Sequence, residues 1–105
     1  MFVNELPKNA QPPLLIFETD MEFHQALSDN AYAIHMRTLY AIKYAHDTNF
    51  NDEITIAFLN DEDTILGCPP DVWIDNLQMS LEYFIEVEDY EKCQEVKELI
   101  DKLQS

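Results

Sequence analysis

Read as a string of apolar and polar positions, the chain changes period several times. Leu14, Leu15, Ile16 and Phe17 form a short unbroken apolar run behind Pro7, Pro12 and Pro13. Each proline removes a backbone donor and disfavours helix just before it, so residues 1–18 are expected to form an extended arm that lies on the core. At Thr19 the pattern becomes helical. Thr19 and Glu22 have the spacing of a capping box, in which the hydroxyl accepts from the third-residue amide and the carboxylate reaches back. Phe23, Leu27, Ala31, Ile34, Ala41 and Ala45 then recur at steps of three, four or seven, widened by Met36, Leu39, Tyr40 and Ile42. The cap formers Ser28, Asp29 and Asn30 interrupt this stripe, which predicts a short helix, a break, and a long helix ending near His46.

After the loop DTNFND come two β-branched or apolar runs, Ile54–Leu59 and Thr64–Gly67, separated by Asn60–Asp63. They predict a β-hairpin, 54–59 with 64–67. A lone hairpin is marginal in water, so it must pack on the helices or gain a third strand from the arm. The single glycine, Gly67, implies few tight turns and a helix-dominated fold.

From Pro70 the helical period returns, with a start at Asp71 or a neighbour. Trp73, Leu77, Leu81 and Phe84 share a face, flanked by Ile74, Tyr83 and Val87. Continuing that stripe calls for apolar residues near 88 and 91–92, where the chain has Glu88, Glu91 and Lys92. A fresh stripe of Tyr90, Cys93, Val96, Ile100 and Leu103 follows, with Asp89 as a good N-cap. The phase reset predicts two helices meeting at a corner over Val87–Asp89 and folding back as an antiparallel hairpin, 72–103. Glu88 with Lys92 and Glu98 with Lys102 stand four apart in the favourable order for ion pairs. The expected architecture is one α+β domain over 1–105, helix-dominated, with three or four helices and a small hairpin.

Composition then narrows the function. With 47% apolar residues the chain can fill one core. Twenty-one acids against six bases leave a net charge of −15, which disfavours direct nucleic-acid binding, since that affinity comes largely from Lys and Arg displacing counterions. A basic protein surface is the better electrostatic match. Cys68 and Cys93 stand apart and suit two reduced thiols. The first fifteen residues lack the basic start and apolar run of a signal peptide, and nothing approaches a membrane span. The expected location is the cytoplasm of a bacterium or of a phage-infected cell.

Residues 86–103, EVEDYEKCQEVKELIDKL, resemble the second half of the UVR motif, a helical hairpin of excision-repair subunits and of adaptors of bacterial stress proteases. The matching positions are Glu88, Asp89, Tyr90, Cys93, Val96, Lys97 and Ile100. Lys97 stands where an arginine is usual and Cys93 where an alanine is, and about 30 of 105 residues are covered. The resemblance implies a hairpin that docks onto another protein, often onto a similar hairpin, which would make the chain a homodimer. In size and acidity the remainder resembles an accessory protein of a bacteriophage.

Reactive chemistry finds little support. The run Asp61, Glu62 and Asp63 lacks the alternate spacing and glycine turn of a calcium loop. His24, His35 and His46 recur every eleven residues, which on one helix puts neighbours about 16 Å apart, too far to share a metal. Cys68 beside a histidine has no accompanying oxyanion loop, and Ser28 and Ser80 sit in no nucleophile elbow. No catalytic, cofactor or metal site is expected. Phe23, Trp73 and Phe84 are assigned to the core. Tyr83 and Tyr90, ringed by Glu86, Glu88, Asp89 and Glu91, are the expected partner-binding set. The leading expectation is a non-enzymatic regulatory or adaptor protein that binds a larger protein, such as a phage-encoded modulator of a host enzyme that handles nucleic acid. The alternatives are a DNA mimic and a small-ligand protein with a pocket lined by Tyr, His and Arg37.

Overall fold

A computed structural model describes residues 10–105. The expected behaviour of residues 1–9, including Glu5 and Pro7, lies outside the described residues. Within them the chain runs β1 (Leu14–Leu15), α1 (Asp20–Asp29), α2 (Ala31–Asp47), β2 (Ile54–Leu59), β3 (Ile65–Cys68), a 3-10 turn (Pro70–Val72), α3 (Trp73–Glu86) and α4 (Tyr90–Gln104). This is a helix-dominated α+β fold with a small three-stranded sheet, as the periodicity predicts.

The capping box at α1 forms in full. Thr19 Oγ1 accepts from the Glu22 amide at 3.1 Å while Glu22 Oε1 accepts from the Thr19 amide at 3.1 Å. The break falls at Asn30, which closes α1 by donating its own amide and its side-chain Nδ2 to the Ala26 carbonyl. It opens α2 through a backbone acceptor, with no side-chain cap. One expectation fails here: α1 contributes no fully buried residue. Phe23, assigned to the core, is half-buried and packs on Phe17 with ring centroids 4.7 Å apart. The long helix alone carries the stripe, burying Met36, Leu39, Ala41, Ile42 and Ala45 against β2, Trp73, Leu77 and Phe84.

Sheet order is β1-β2-β3. β1 pairs parallel with β2, Leu14 opposite Phe58 and Leu15 opposite Leu59, because α1 and α2 intervene and supply the long crossover that parallel strands need. The arm thus supplies the third strand. β2 and β3 form the antiparallel hairpin, with a bulge at Ile56 between Thr55 and Ala57. β3 runs one residue later than the predicted 64–67, so Gly67 lies inside the strand, where a Cβ would run into the Glu53 side chain. The turns use other residues: Asn49, Asn60 and Glu88 all take positive φ.

Arg37 is 1% exposed, at the point where arm, sheet and α2 meet. Its Nε donates to the Thr55 carbonyl at 2.7 Å, next to the bulge, and one terminal nitrogen donates to the Ala10 carbonyl at 3.3 Å. Burial lowers its pKa to about 10, still cationic at neutral pH. The alternative small-ligand reading needs Arg37 in a pocket lining; here it serves as a clamp between β2 and the arm.

The Trp73 indole donates to the Cys68 carbonyl at 2.9 Å and so fixes the start of α3 against the end of β3. A 3-10 turn over Pro70–Val72 precedes it, which displaces the α-helical start from Asp71. α3 and α4 lie against each other as the predicted hairpin and bury Trp73, Leu77, Ser80 and Phe84 on one helix and Cys93, Val96 and Leu99 on the other.

Candidate functional site

The α3–α4 corner is built by two local motifs in succession. α3 ends with the Glu88 amide donating to the Ile85 carbonyl at 3.1 Å and the Asp89 amide to the Phe84 carbonyl at 2.9 Å. That pair of reversed bonds is a Schellman closure, with the left-handed residue at Glu88, φ 61°. α4 opens one residue later, the Asp89 carboxylate accepting from the Lys92 amide at 3.3 Å. Capping on both sides leaves the corner little backbone freedom. It presents Val87, 47% exposed, and Tyr90, 65% exposed, with Ile85 close behind. Glu86, Glu88 and Glu91 are exposed around them and Asp89 is half-buried.

Five of the six predicted contact residues therefore meet at this corner. Tyr90 belongs to it alone: the α4 stripe begins at Cys93, because position 90 precedes the turn on which the helices converge. Tyr83 goes elsewhere. It is half-buried and stacks on His35 of α2, ring centroids 4.5 Å apart and 20° from parallel, with an edge contact to Phe84 at 5.5 Å. Its pKa is raised by burial, with smaller contributions from nearby Tyr32 and Glu86.

His35 forms the inner part of the α2–α3 seam. Its Nδ1 lies 2.7 Å from Ser80 Oγ, and burial lowers its pKa, so the ring is neutral at pH 7. The eleven-residue spacing of His24, His35 and His46 speaks only to a shared metal and gives no sign of this pair. Below it opens a cleft of about 190 Å³ lined by Ile34, Ile56, Leu66, Met79, His35 and Ser80. Met79 is 61% exposed at its mouth. The one signal in the sequence was Met79 and Tyr83 at i and i+4, off the core stripe of α3.

The predicted ion pairs do not form as written. Lys92 turns from Glu88 to Glu95, Nζ to Oε2 3.1 Å, and lies over the Tyr40 ring at 5.7 Å. Lys43 approaches the same carboxylate at 3.8 Å, and Glu98 accepts from Gln94 instead of Lys102. Tertiary contact with α2 draws Lys92 inward, and the Tyr40 and Glu95 hydrogen bonds raise its pKa despite an opposing desolvation.

Ser80 lies beside His35, 0% exposed, with its hydroxyl engaged by the imidazole. Burial, with Glu53 and Asp71 nearby, pushes the Cys68 thiol up to about 11, leaving it protonated. Both cysteines are free and buried. At the hairpin tip Asp61 is occupied as the acceptor for the Asp63 and Thr64 amides. Among the described residues no group of three His, Cys, Asp or Glu side chains could hold a metal ion, and no helix is long and apolar enough to cross a membrane. No protein-family profile, curated protein or solved structure matches this chain.

Proposed function

We propose that this protein is a non-enzymatic regulatory or adaptor module that binds a larger protein with a basic surface through its α3–α4 corner. One observation carries the reading: Val87 and Tyr90 stay about half or more exposed on a bend fixed by a Schellman closure and an N-cap, inside a rim of Glu86, Glu88, Asp89 and Glu91. An apolar centre with a charged rim is the usual anatomy of a contact patch. Presenting it on a pre-ordered backbone lowers the entropy cost of association. The rim selects basic partners and speeds encounter, and a protein that itself handles nucleic acid offers such a surface. In this the corner acts as the UVR-type hairpins it resembles. Two buried free thiols suit a reducing cytoplasm, of a bacterium or of a phage-infected cell.

The test places a photo-crosslinking residue at position 90 and, as control, at the exposed Asp101 near the far end of α4. Crosslinking is done in the native host or in infected cells. A protein with a basic surface captured from position 90 and not from 101, in a complex that survives high salt, is the expected result. Capture from both positions or from neither overturns the proposal. A complex that dissolves steeply with salt and competes with duplex DNA would instead mark a DNA mimic.

A further inference from the structure

The cleft beneath His35 and the aromatic edge beside it lie side by side, and of their residues the corner uses Glu86 alone. On α3, Met79, Glu82, Tyr83 and Glu86 stand at i, i+3, i+4 and i+7 and so share one face of the helix. Met79 is at the mouth of the cleft. One turn on, Tyr83 is backed by His35 and remains partly exposed. Glu82 and Glu86 are exposed on either side, and α3 carries no Lys or Arg.

We propose that this face is a two-part receptor for a basic peptide segment of a partner protein: the cleft takes one large apolar side chain, and the Tyr83 ring, with Glu82 and Glu86, takes an arginine or lysine next to it. The inference rests on reading the protein as a binder of basic partners and names a second contact for such a partner. Volume supports the first part. A cavity of roughly 150 Å³ lined by aliphatic side chains accepts a benzene-sized guest, and this cleft, of about 190 Å³, is lined largely by Ile34, Ile56, Leu66 and Met79. Its polar side chains leave the lining apolar in effect: Thr38 donates to the Ile34 carbonyl, Asn76 to the Val72 carbonyl, and Ser80 is paired with His35. Charge supports the second part. A cation over a tyrosine face gains from the ring quadrupole, and two carboxylates on the same face add Coulomb attraction with no nearby base on α3 to oppose it.

The spacing specifies the ligand further. Met79 and Tyr83 are one turn apart, about 6 Å along the axis, which side chains two apart in an extended peptide match at about 6.6 Å. The segment recognised has the form apolar, any residue, basic.

N-acetyl-Phe-Ala-Arg amide is the probe, titrated into the full chain with the Met79 methyl and the His35 ring followed by NMR. Saturable shifts at both are expected. The Glu-ended analogue and N-acetyl-Ala-Ala-Arg amide should bind at least fivefold more weakly, each lacking one part. Tyr83→Leu, which keeps an apolar packing surface, should weaken the Arg peptide about threefold, the size of an exposed cation–π contact, and leave the Phe-Ala-Glu peptide unchanged. Glu86→Gln on the exposed surface gives a second reading of the same arm with no packing consequence. Unmoved Met79 and His35 signals, or equal binding of the Arg and Glu peptides, overturn the inference. Loss of the peptide on substituting the corner, Glu88→Gln with Tyr90→Ala, also overturns it, since the peptide would then sit at the corner. The titration uses no cellular partner, so its failure leaves the crosslink from position 90 standing, and failure of that crosslink leaves the titration interpretable.

Discussion

Glu88 holds the corner in a backbone conformation that disfavours its own side chain. At φ 61° it occupies the left-handed region, where a residue with a Cβ meets the following carbonyl at a cost of about 1–2 kcal/mol. Glycine removes that clash, though its freer unfolded chain returns about 0.5–1 kcal/mol. Glu88→Gly is therefore expected to gain about 0.5–1 kcal/mol over Glu88→Ala, which keeps the Cβ and loses the same carboxylate. Comparing the two cancels the electrostatic relief of removing one of four clustered acids. For a domain of this size the gain corresponds to a difference of about 2–8 °C in melting temperature, readable by circular dichroism, with urea midpoints as a check. Both variants should retain the Glu88-to-Ile85 and Asp89-to-Phe84 backbone bonds, since neither uses the side chain. Equal melting of the Gly and Ala variants, or a Gly variant below Ala, would refute the reasoning and with it the picture of a pre-ordered corner.

Three further outcomes follow from the same geometry. His35 is held neutral by burial, so its folded pKa lies below the unfolded value near 6.5; the unfolded chain binds the extra proton, and stability falls as pH drops from about 7.5 through 6.5. His35→Asn should flatten that limb in urea melts between about pH 7.5 and 5.5, a window kept above most carboxylate titrations. Arg37→Lys should cost about 1–3 kcal/mol in chemical denaturation, because an ammonium on a flexible stem cannot reproduce the fixed fork that reaches Thr55 and Ala10 together. Thr19→Ala removes a cap worth about 1 kcal/mol to its helix. Because α1 buries no residue fully, the loss should appear as faster amide exchange over α1, with little change in the global melt.

Local chemistry was legible wherever the deciding groups lie within a few residues of each other. The Thr19–Glu22 box, the break at Asn30, the 54–59 strand, the Asp89 cap and the phase reset at the α3–α4 corner all depend on spacings of one to seven residues. Periodicity and cap chemistry report such spacings directly. The acid-ringed corner with an exposed Tyr90 belongs to the same class. Folding decided what joins distant segments: Arg37 reaches carbonyls 18 and 27 residues away, and His35 meets Ser80 across 45. The same holds for Tyr83, drawn into the seam by His35, for Lys92, turned from Glu88 toward α2, and for the half-buried Phe23. A side chain's neighbours across a seam depend on how two helices are rotated about each other, and one helix's pattern records only which face turns inward. The cleft beside Met79 exists only once α2, α3 and the bulged hairpin are assembled.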